Sequence, residues 1–117
     1  MADLPTKINL TVVTRERKIV DATVDEVILP ASDGELGVLP GHTPLLATLR
    51  IGPLRYRSGS RIDRLVISWG FAEVLPDRVI VLAEREIADL SAHDPEFARA
   101  EARLEESIAM LTVHREH

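Results

Sequence analysis

The side chains that could form a hydrolytic triad are Ser68, His42 and Asp33. A serine, a histidine and an acid can pass a proton between them, so that the serine oxygen becomes a nucleophile. No nucleophile-elbow turn surrounds Ser68, however, and nothing in the sequence fixes the spacing of the three residues. A β-rich chain of this length offers such a trio by chance, so the pattern does not predict catalysis.

Metal binding is the second chemistry to consider. No pair of the four histidines is four residues apart, and His114 and His117 lie three apart near the end of the sequence. The chain has no cysteine, which excludes thiolate zinc sites, disulfides and a cysteine nucleophile. The sequence therefore predicts no metal site and no cofactor.

Residues 33–42 form the segment that bulk folding explains least. They contain three glycines, a proline, two acids and a histidine, but not the lysine and threonine of a phosphate-binding loop. A rigid scaffold often displays recognition residues on loops of this composition. A partner-binding loop and a purely structural turn both remain open at this point.

Composition limits the other classes of function. The 117 residues are 45% hydrophobic and only 3% aromatic, with a net charge of -5. Both the charge and the lack of aromatic residues argue against nucleic-acid binding. Residues 1–6 do not resemble a signal peptide, and the longest apolar run, residues 79–83, is too short to span a membrane. We expect a soluble protein on the cytosolic side.

Two regions differ in composition. Residues 1–88 are rich in Val, Ile, Leu and Thr, contain all six glycines, and carry 11 basic and 12 acidic residues. Residues 89–117 are rich in Ala, Glu, Arg and Leu and carry 3 basic and 7 acidic residues. This contrast predicts a β domain over 1–88 and a helical tail over 89–117.

Short runs of apolar residues divide the β domain into strands. Ile8, Leu10 and Val12 alternate with polar residues, the period of a half-buried strand. Turn-forming residues separate the runs at 15–18, 31–37, 40–41, 58–59 and 75–78. The other candidate strands are 19–29, 45–49, 54–57, 61–69, 71–75 and 78–83. Seven to ten short strands predict a sandwich or flattened barrel.

The tail has the pattern of one amphipathic helix. Asp94 is a suitable N-cap and Pro95 fits the first helical position. An apolar stripe follows at helical spacing, formed by Phe97, Ala100, Leu104, Ile108 and Leu111. Packing of this stripe on the β domain and packing on a partner helix are both open.

The segment 29–46, LPASDGELGVLPGHTPLL, resembles the signature of the epsilon subunit family of F-type ATP synthases. Residues 8–14 resemble the first strand of that family. Residues 67–74 resemble its Ser-Gly-Gly-Phe-Ala-Glu-Val block, and residues 79–84 resemble its final strand. Together these matches extend across residues 6–87, in order and at the family's usual spacing.

The resemblance implies a ten-stranded β-sandwich at the foot of the rotary central stalk. Such a subunit is non-catalytic, binds the gamma subunit and the c-ring, and couples ion flow to ATP synthesis. By resemblance, Asp33, Glu35 and His42 would contact the c-ring, and Leu45 and Leu46 would face gamma or lie in the core. The implied location is peripheral, on the cytoplasmic face of the inner membrane.

The sequence departs from the family in two places. Trp69 stands where the family has glycine, so we expect different packing there. The tail matches only one helix of the family's two-helix hairpin, whose extended form can contact the alpha/beta hexamer. Residues 95–100, PEFARA, lack the aliphatic residue and the aspartate of the family's ATP-binding motif. We therefore expect no ATP binding and weak or absent inhibition of ATP hydrolysis.

Two alternatives come from other classes of function. A stand-alone β-sandwich module could bind a sugar or peptide, although only Tyr56, Trp69 and Phe71 offer aromatic faces. A small hydrolase would use His42, but the sequence shows no paired base and nucleophile.

Overall fold

The computed structural model describes residues 4–89, with side chains through Ile87. This part of the chain forms ten strands and contains no helix. In chain order the strands are β1 (Ile8–Val13), β2 (Lys18–Val24), β3 (Glu26–Ala31), β4 (Gly34–Val38), β5 (Leu45–Leu49), β6 (Gly52–Ser58), β7 (Arg61–Ile67), β8 (Gly70–Leu75), β9 (Arg78–Ala83) and β10 (Glu86–Asp89).

The ten strands form one curled sheet with two halves. One half has the order β4-β3-β6-β7-β10, and the other has the order β5-β8-β9-β1-β2. The halves join where Ala31 of β3 pairs with Leu49 of β5. Paired strands are antiparallel in the described residues, except that β1 and β9 run parallel. The prediction of a mainly β, ten-stranded sandwich is confirmed.

One apolar core lies between the halves. In β1, Ile8, Leu10 and Val12 have no solvent exposure, whereas Asn9 between them is exposed. This is the alternation that the sequence predicted. Every strand from β1 to β9 contributes at least one buried apolar side chain to the core, so both halves of the sheet depend on it.

Short connections carry the chain from one half to the other. Residues 50–51 cross between β5 and β6, 68–69 cross between β7 and β8, and 84–85 cross between β9 and β10. The last two crossings are hydrogen-bonded to each other. The Ser68 N–H donates to the Arg85 carbonyl at 3.1 Å, and the Glu84 N–H donates to the Trp69 carbonyl at 2.8 Å. Each crossing therefore supports the other.

Asp25 marks the crossing between β2 and β3. Its carboxylate accepts a hydrogen bond from the Gly59 N–H at 2.6 Å and forms an ion pair with Lys7. The Arg57 guanidinium lies 3.8 Å from the same carboxylate. The Gly59 N–H, and then the Lys7 ammonium, lower the pKa of the Asp25 carboxyl because they stabilise its charged form. This one side chain ties the turn after β6 to the start of β1.

The prediction that residues 31–37 form a loop is wrong. Only Ser32 and Asp33 form a turn, and Gly34–Val38 is strand β4, paired with β3 from Ala31↔Gly34 to Val27↔Val38. Glycine weakens a strand but does not prevent one when a neighbouring strand supplies the hydrogen-bond ladder. The predicted strand 19–29 is likewise two strands, because the chain changes halves at Asp25.

Other turns agree with the sequence. Polar residues 14–17 join β1 and β2, Gly59 and Ser60 join β6 and β7, and Pro76 and Asp77 join β8 and β9. The predicted helix, with its cap at Asp94 and its apolar stripe, lies outside the described residues and stays a prediction.

Candidate partner-binding surface

A cleft between β4 and β5 brings together four of the five residues predicted to bind partners. Asp33 and Glu35 lie on the β4 side, and Leu45 and Leu46 lie on the β5 side. The cleft has a volume of about 300 Å³. It forms because β4 pairs with β3 whereas β5 pairs chiefly with β8, so the two strands are neighbours that share no ladder in the described part of the chain.

The β3–β4 turn displays Asp33 at one end of this cleft. The turn has two residues, and Gly34 follows it with φ of +133°, a conformation that residues with a side chain rarely adopt. Ser32 anchors the turn to β5, because its N–H and its hydroxyl both donate to the Thr48 carbonyl, at 2.9 and 3.1 Å. Asp33 is therefore exposed on a fixed turn.

Glu35 is the second residue of β4, and its side chain points outward. Its Oε1 accepts a hydrogen bond from Nη2 of Arg55 at 2.6 Å, which makes a charge-assisted pair across the sheet. The Glu35 side chain keeps 58% of its surface exposed in this pair. Glu35 can therefore meet a partner without a change in its position.

Leu45 and Leu46 lie at the start of β5. Core burial was the other interpretation of these residues, and the structure contradicts it, since Leu46 is 71% exposed and Leu45 is 41% exposed. The same strand reaches the core only at its other end, where Leu49 is buried. Two adjacent exposed leucines lie on opposite sides of the strand and offer an apolar edge to a partner.

His42 lies apart from the cleft. It follows β4 in the connection to β5, and its Nδ1 is 2.6 Å from the Thr43 carbonyl. The preceding Gly41 N–H donates to the Pro76 carbonyl at 2.8 Å, which places this connection beside the β8–β9 turn. Because Asp33 precedes β4 and His42 follows it, the length of a five-residue strand separates the two side chains.

The hypothetical triad is not assembled. Ser68 is buried, and its hydroxyl donates to the Arg85 carbonyl at 3.3 Å and accepts from the Arg85 N–H at 3.0 Å. Within residues 4–89, no hydrogen bond joins Ser68, His42 and Asp33 to one another. The same residues contain no cluster of three or more potential metal ligands. Residues 4–89 also contain no helix that is long and apolar enough to cross a bilayer.

An exposed apolar surface on β8 and β9 was not found by sequence reasoning. Phe71 is 53% exposed, Leu82 is 54% exposed, and the two side chains are paired across the strands. Thr48 of β5 faces Phe71 on the other side, so the surface continues toward Leu46. Trp69 at the adjoining crossing is also exposed. The packing difference from the family that is expected at this residue stays a prediction.

Comparison with known proteins identifies the family. The family model for the ATP synthase delta/epsilon chain β-sandwich domain matches residues 7–88. ATP synthase epsilon chain 2 of Syntrophotalea carbinolica is 45% identical over 104 residues, which cover 86% of this chain and 75% of that protein. The epsilon chain of Syntrophobacter fumaroxidans is 39% identical, over 92% of this chain and 95% of that protein.

Chains of solved ATP synthase structures also resemble this chain. A chain of the Euglena gracilis mitochondrial ATP synthase (OSCP/F1/c-ring) has a TM-score of 0.72 and 30% identity, and the match covers 92% of this chain and 68% of that one. A chain of the Tetrahymena thermophila mitochondrial ATP synthase central stalk and c-ring has a TM-score of 0.61 at 14% identity, which shows a shared fold. The resemblance of segment 29–46 and the ten-stranded sandwich thus have one explanation: the chain belongs to the family of ATP synthase delta/epsilon chains.

Proposed function

We propose that this chain binds the gamma subunit and the c-ring of an F-type ATP synthase and thereby couples ion translocation to ATP synthesis. The chain is a non-catalytic accessory subunit of the rotor. The observation that carries the proposal is the cleft between β4 and β5, where an acidic wall and an apolar wall are both exposed. Neither a hydrolase nor a stand-alone binding module accounts for the family match.

The c-ring contact is proposed for the acidic wall. Asp33 on the β3–β4 turn and Glu35 on β4 would meet basic or amide groups in the polar loops of the ring. Exposed carboxylates of this kind fix orientation and register more than they add affinity. His42 would contribute to the same interface from the far end of β4, so the proposed ring contact extends along the whole strand.

The gamma contact is proposed for the apolar wall. Leu45 and Leu46 are exposed, and the apolar surface of Phe71 and Leu82 lies on the neighbouring strands. Exposed apolar patches of this kind mark protein interfaces when polar residues surround them. Two adjoining surfaces of one rigid sandwich, which meet at the cleft, would then contact two different subunits, and this suits a part that transmits torque.

The proposed location follows from the assembly. The subunit is peripheral, and its proposed position is the cytoplasmic face of the inner membrane, where its contact with the bilayer is indirect. A further contact of the tail with the alpha/beta hexamer, the absence of ATP binding at residues 95–100 and weak inhibition of hydrolysis concern residues outside the described part, and they remain proposals.

Reconstitution tests the proposal. Membrane vesicles carrying ATP synthase stripped of its epsilon subunit are titrated with this chain, and ATP-driven ion pumping is followed beside ATP hydrolysis. Recovery of pumping with hydrolysis still high is the expected result. A sharp fall in hydrolysis would show that the tail inhibits. No binding and no recovery of pumping would contradict the proposed assembly.

Titration calorimetry with ATP tests whether the chain binds ATP. The full chain is expected to give no heat of binding with ATP, because residues 95–100 lack the aspartate and the branched aliphatic residue of the family motif. Micromolar binding of ATP would contradict this expectation without affecting the proposed rotor function.

A further inference from the structure

We propose that Arg55 is a positioning residue, which holds the Glu35 carboxylate in the place where it meets the partner. The inference rests on the proposed function, because it concerns the ring contact assigned to Glu35. Arg55 itself lies on β6, two strands away from β4, and it is not placed in that contact.

The pair spans the strand between its two members. Arg55 faces Ile28 of β3, and Glu35 faces Pro30 of the same strand, so the two side chains meet diagonally across β3. Two strand spacings separate their backbones by roughly 9.5 Å. The Nη2–Oε1 distance is nevertheless 2.6 Å, so both side chains must extend toward each other over β3.

Burial differs between the two partners. The Arg55 side chain is 28% exposed, whereas the Glu35 side chain is 58% exposed. The arginine is the better-fixed member, because more of it is packed on the sheet. A carboxylate held by such a guanidinium loses rotamer freedom before a partner arrives, and this reduces the entropy lost on binding.

A contribution to the stability of the fold does not explain why residue 55 is an arginine. The Arg55 Nε is buried and has no hydrogen-bond partner among the described residues. A buried donor without an acceptor disfavours folding, and exposed ion pairs contribute little stability. An apolar residue would suit this half-buried position of β6 at least as well. The geometry therefore points to a role in orientation.

The carboxylate can bind Arg55 and a partner at the same time. Arg55 bonds one oxygen of Glu35, Oε1, and more than half of the Glu35 side chain stays exposed in that pair. A carboxylate has two oxygens that accept hydrogen bonds. A basic or amide group of a partner can therefore bind Oε2 while Arg55 keeps Oε1, and docking does not require Glu35 to exchange one partner for another.

A double-mutant cycle tests the inference. The full-length variants E35Q, R55M and E35Q/R55M are titrated into vesicles with ATP synthase stripped of its epsilon subunit, and the half-saturating concentration for recovered pumping is measured. R78M is the matched control, because Arg78 also pairs with a carboxylate, that of Asp77, but lies on β9. Thermal unfolding of each variant separates binding from folding, and R55Q replaces R55M if R55M does not fold.

The expected result is coupling between the two positions. E35Q is expected to raise the half-saturating concentration about tenfold, R55M to raise it at least about threefold, and the double variant to resemble E35Q, since the effects of coupled residues do not add. R78M is expected to bind as the parent does, and R55M is expected to keep the parent's unfolding midpoint within a few degrees.

Other outcomes identify which idea fails. If R55M binds as the parent does while E35Q does not, or if R55M weakens binding equally in the parent and in the E35Q variant, the positioning role is overturned and the ring contact stands. If E35Q itself has no effect, the contact assigned to Glu35 fails. A loss of binding in R55M that follows a loss of folding, with R55Q bound normally, also overturns the positioning role.

Discussion

The role of each carboxylate in this molecule, in folding or in partner binding, depends on the groups that surround it. Asp25 lies at a crossing between the two halves, where a backbone N–H and two cations hold it. Asp33 is exposed on a turn, and Glu35 is exposed but paired with Arg55. One type of group therefore stabilises the fold at the first position and remains available to a partner at the other two.

The lowered pKa of Asp25 gives a pH-dependent contribution to stability. Because the carboxyl is more acidic in the folded chain than in the unfolded chain, its contribution is fully present above the ordinary aspartate pKa of about 3.9. It is lost as the pH falls through the lowered value. The D25N variant is expected to be less stable than the parent at pH 7 and to approach the parent as the pH falls below the ordinary aspartate pKa.

Urea unfolding at pH 7 and at a pH below the ordinary aspartate pKa measures this difference in stability between D25N and the parent. D77N is the control, because the Asp77 carboxylate is exposed and lies 3.7 Å from a single arginine. A D25N deficit that is unchanged at low pH would show that the hydrogen-bond geometry, and not the charge, matters at this position.

Strand ends and crossings give the elements their arrangement. At the start of β8, Gly70 packs against β9, and a Cβ at this position would lie 2.0 Å from the Leu82 carbonyl oxygen. Backbone atoms cannot move away as a flexible side chain can. The close approach of β8 and β9 next to the paired crossings 68–69 and 84–85 therefore depends on a glycine.

The G70A variant is expected to lose about 1–3 kcal/mol of unfolding free energy, or more, because the clash is with backbone. The control is G37A, on β4, where a Cβ meets nothing within 4 Å and φ is not positive. That change is expected to stay within about 0.5 kcal/mol of the parent. Chemical denaturation of both variants measures the two unfolding free energies. Equal losses of unfolding free energy in G70A and G37A would contradict the packing argument.

Different leucines of the molecule contribute to the stability of the fold and to the proposed binding of partners. Leu54 of β6 is fully buried, whereas Leu46 of β5 is 71% exposed. The same chemical change at these two leucines should therefore affect different properties. Both properties suit the proposed rotor function, in which a stiff scaffold would transmit torque and an exposed apolar surface would bind the gamma subunit.

We expect L54A to lower the unfolding free energy by about 2–5 kcal/mol, through lost burial and a cavity. L46A is expected to change it by no more than about 0.5 kcal/mol. In the vesicle titration, L46A should instead raise the half-saturating concentration about three- to tenfold, because it removes apolar contact area. Unchanged binding by L46A would argue against the proposed gamma contact.

The sequence predicted the fold where local pattern decides it. Ile8, Leu10 and Val12 alternate with polar residues, and β1 follows. The all-apolar run 79–83 shows no such alternation, so the outward position of Leu82 could not be read from it. The pairing of Glu35 with Arg55 depends on the strand order β4-β3-β6, which is a tertiary property. Candidate residues came from the family resemblance, whereas their shared cleft and the separate position of His42 came from the structure.

The parallel pairing of β1 with β9 has a consequence for how the protein forms. β1 is made first, yet Asn9 pairs with Arg78, about 70 residues later in the chain. Loop closure over that distance is costly in entropy, and non-local sheets fold slowly, on a scale of roughly milliseconds to seconds. During synthesis the β1–β2 hairpin has no inner neighbour until β9 has emerged. The half of the sandwich that carries Leu46 and Phe71 therefore closes only after β9 has been made, and a partner can dock on that half only from then on.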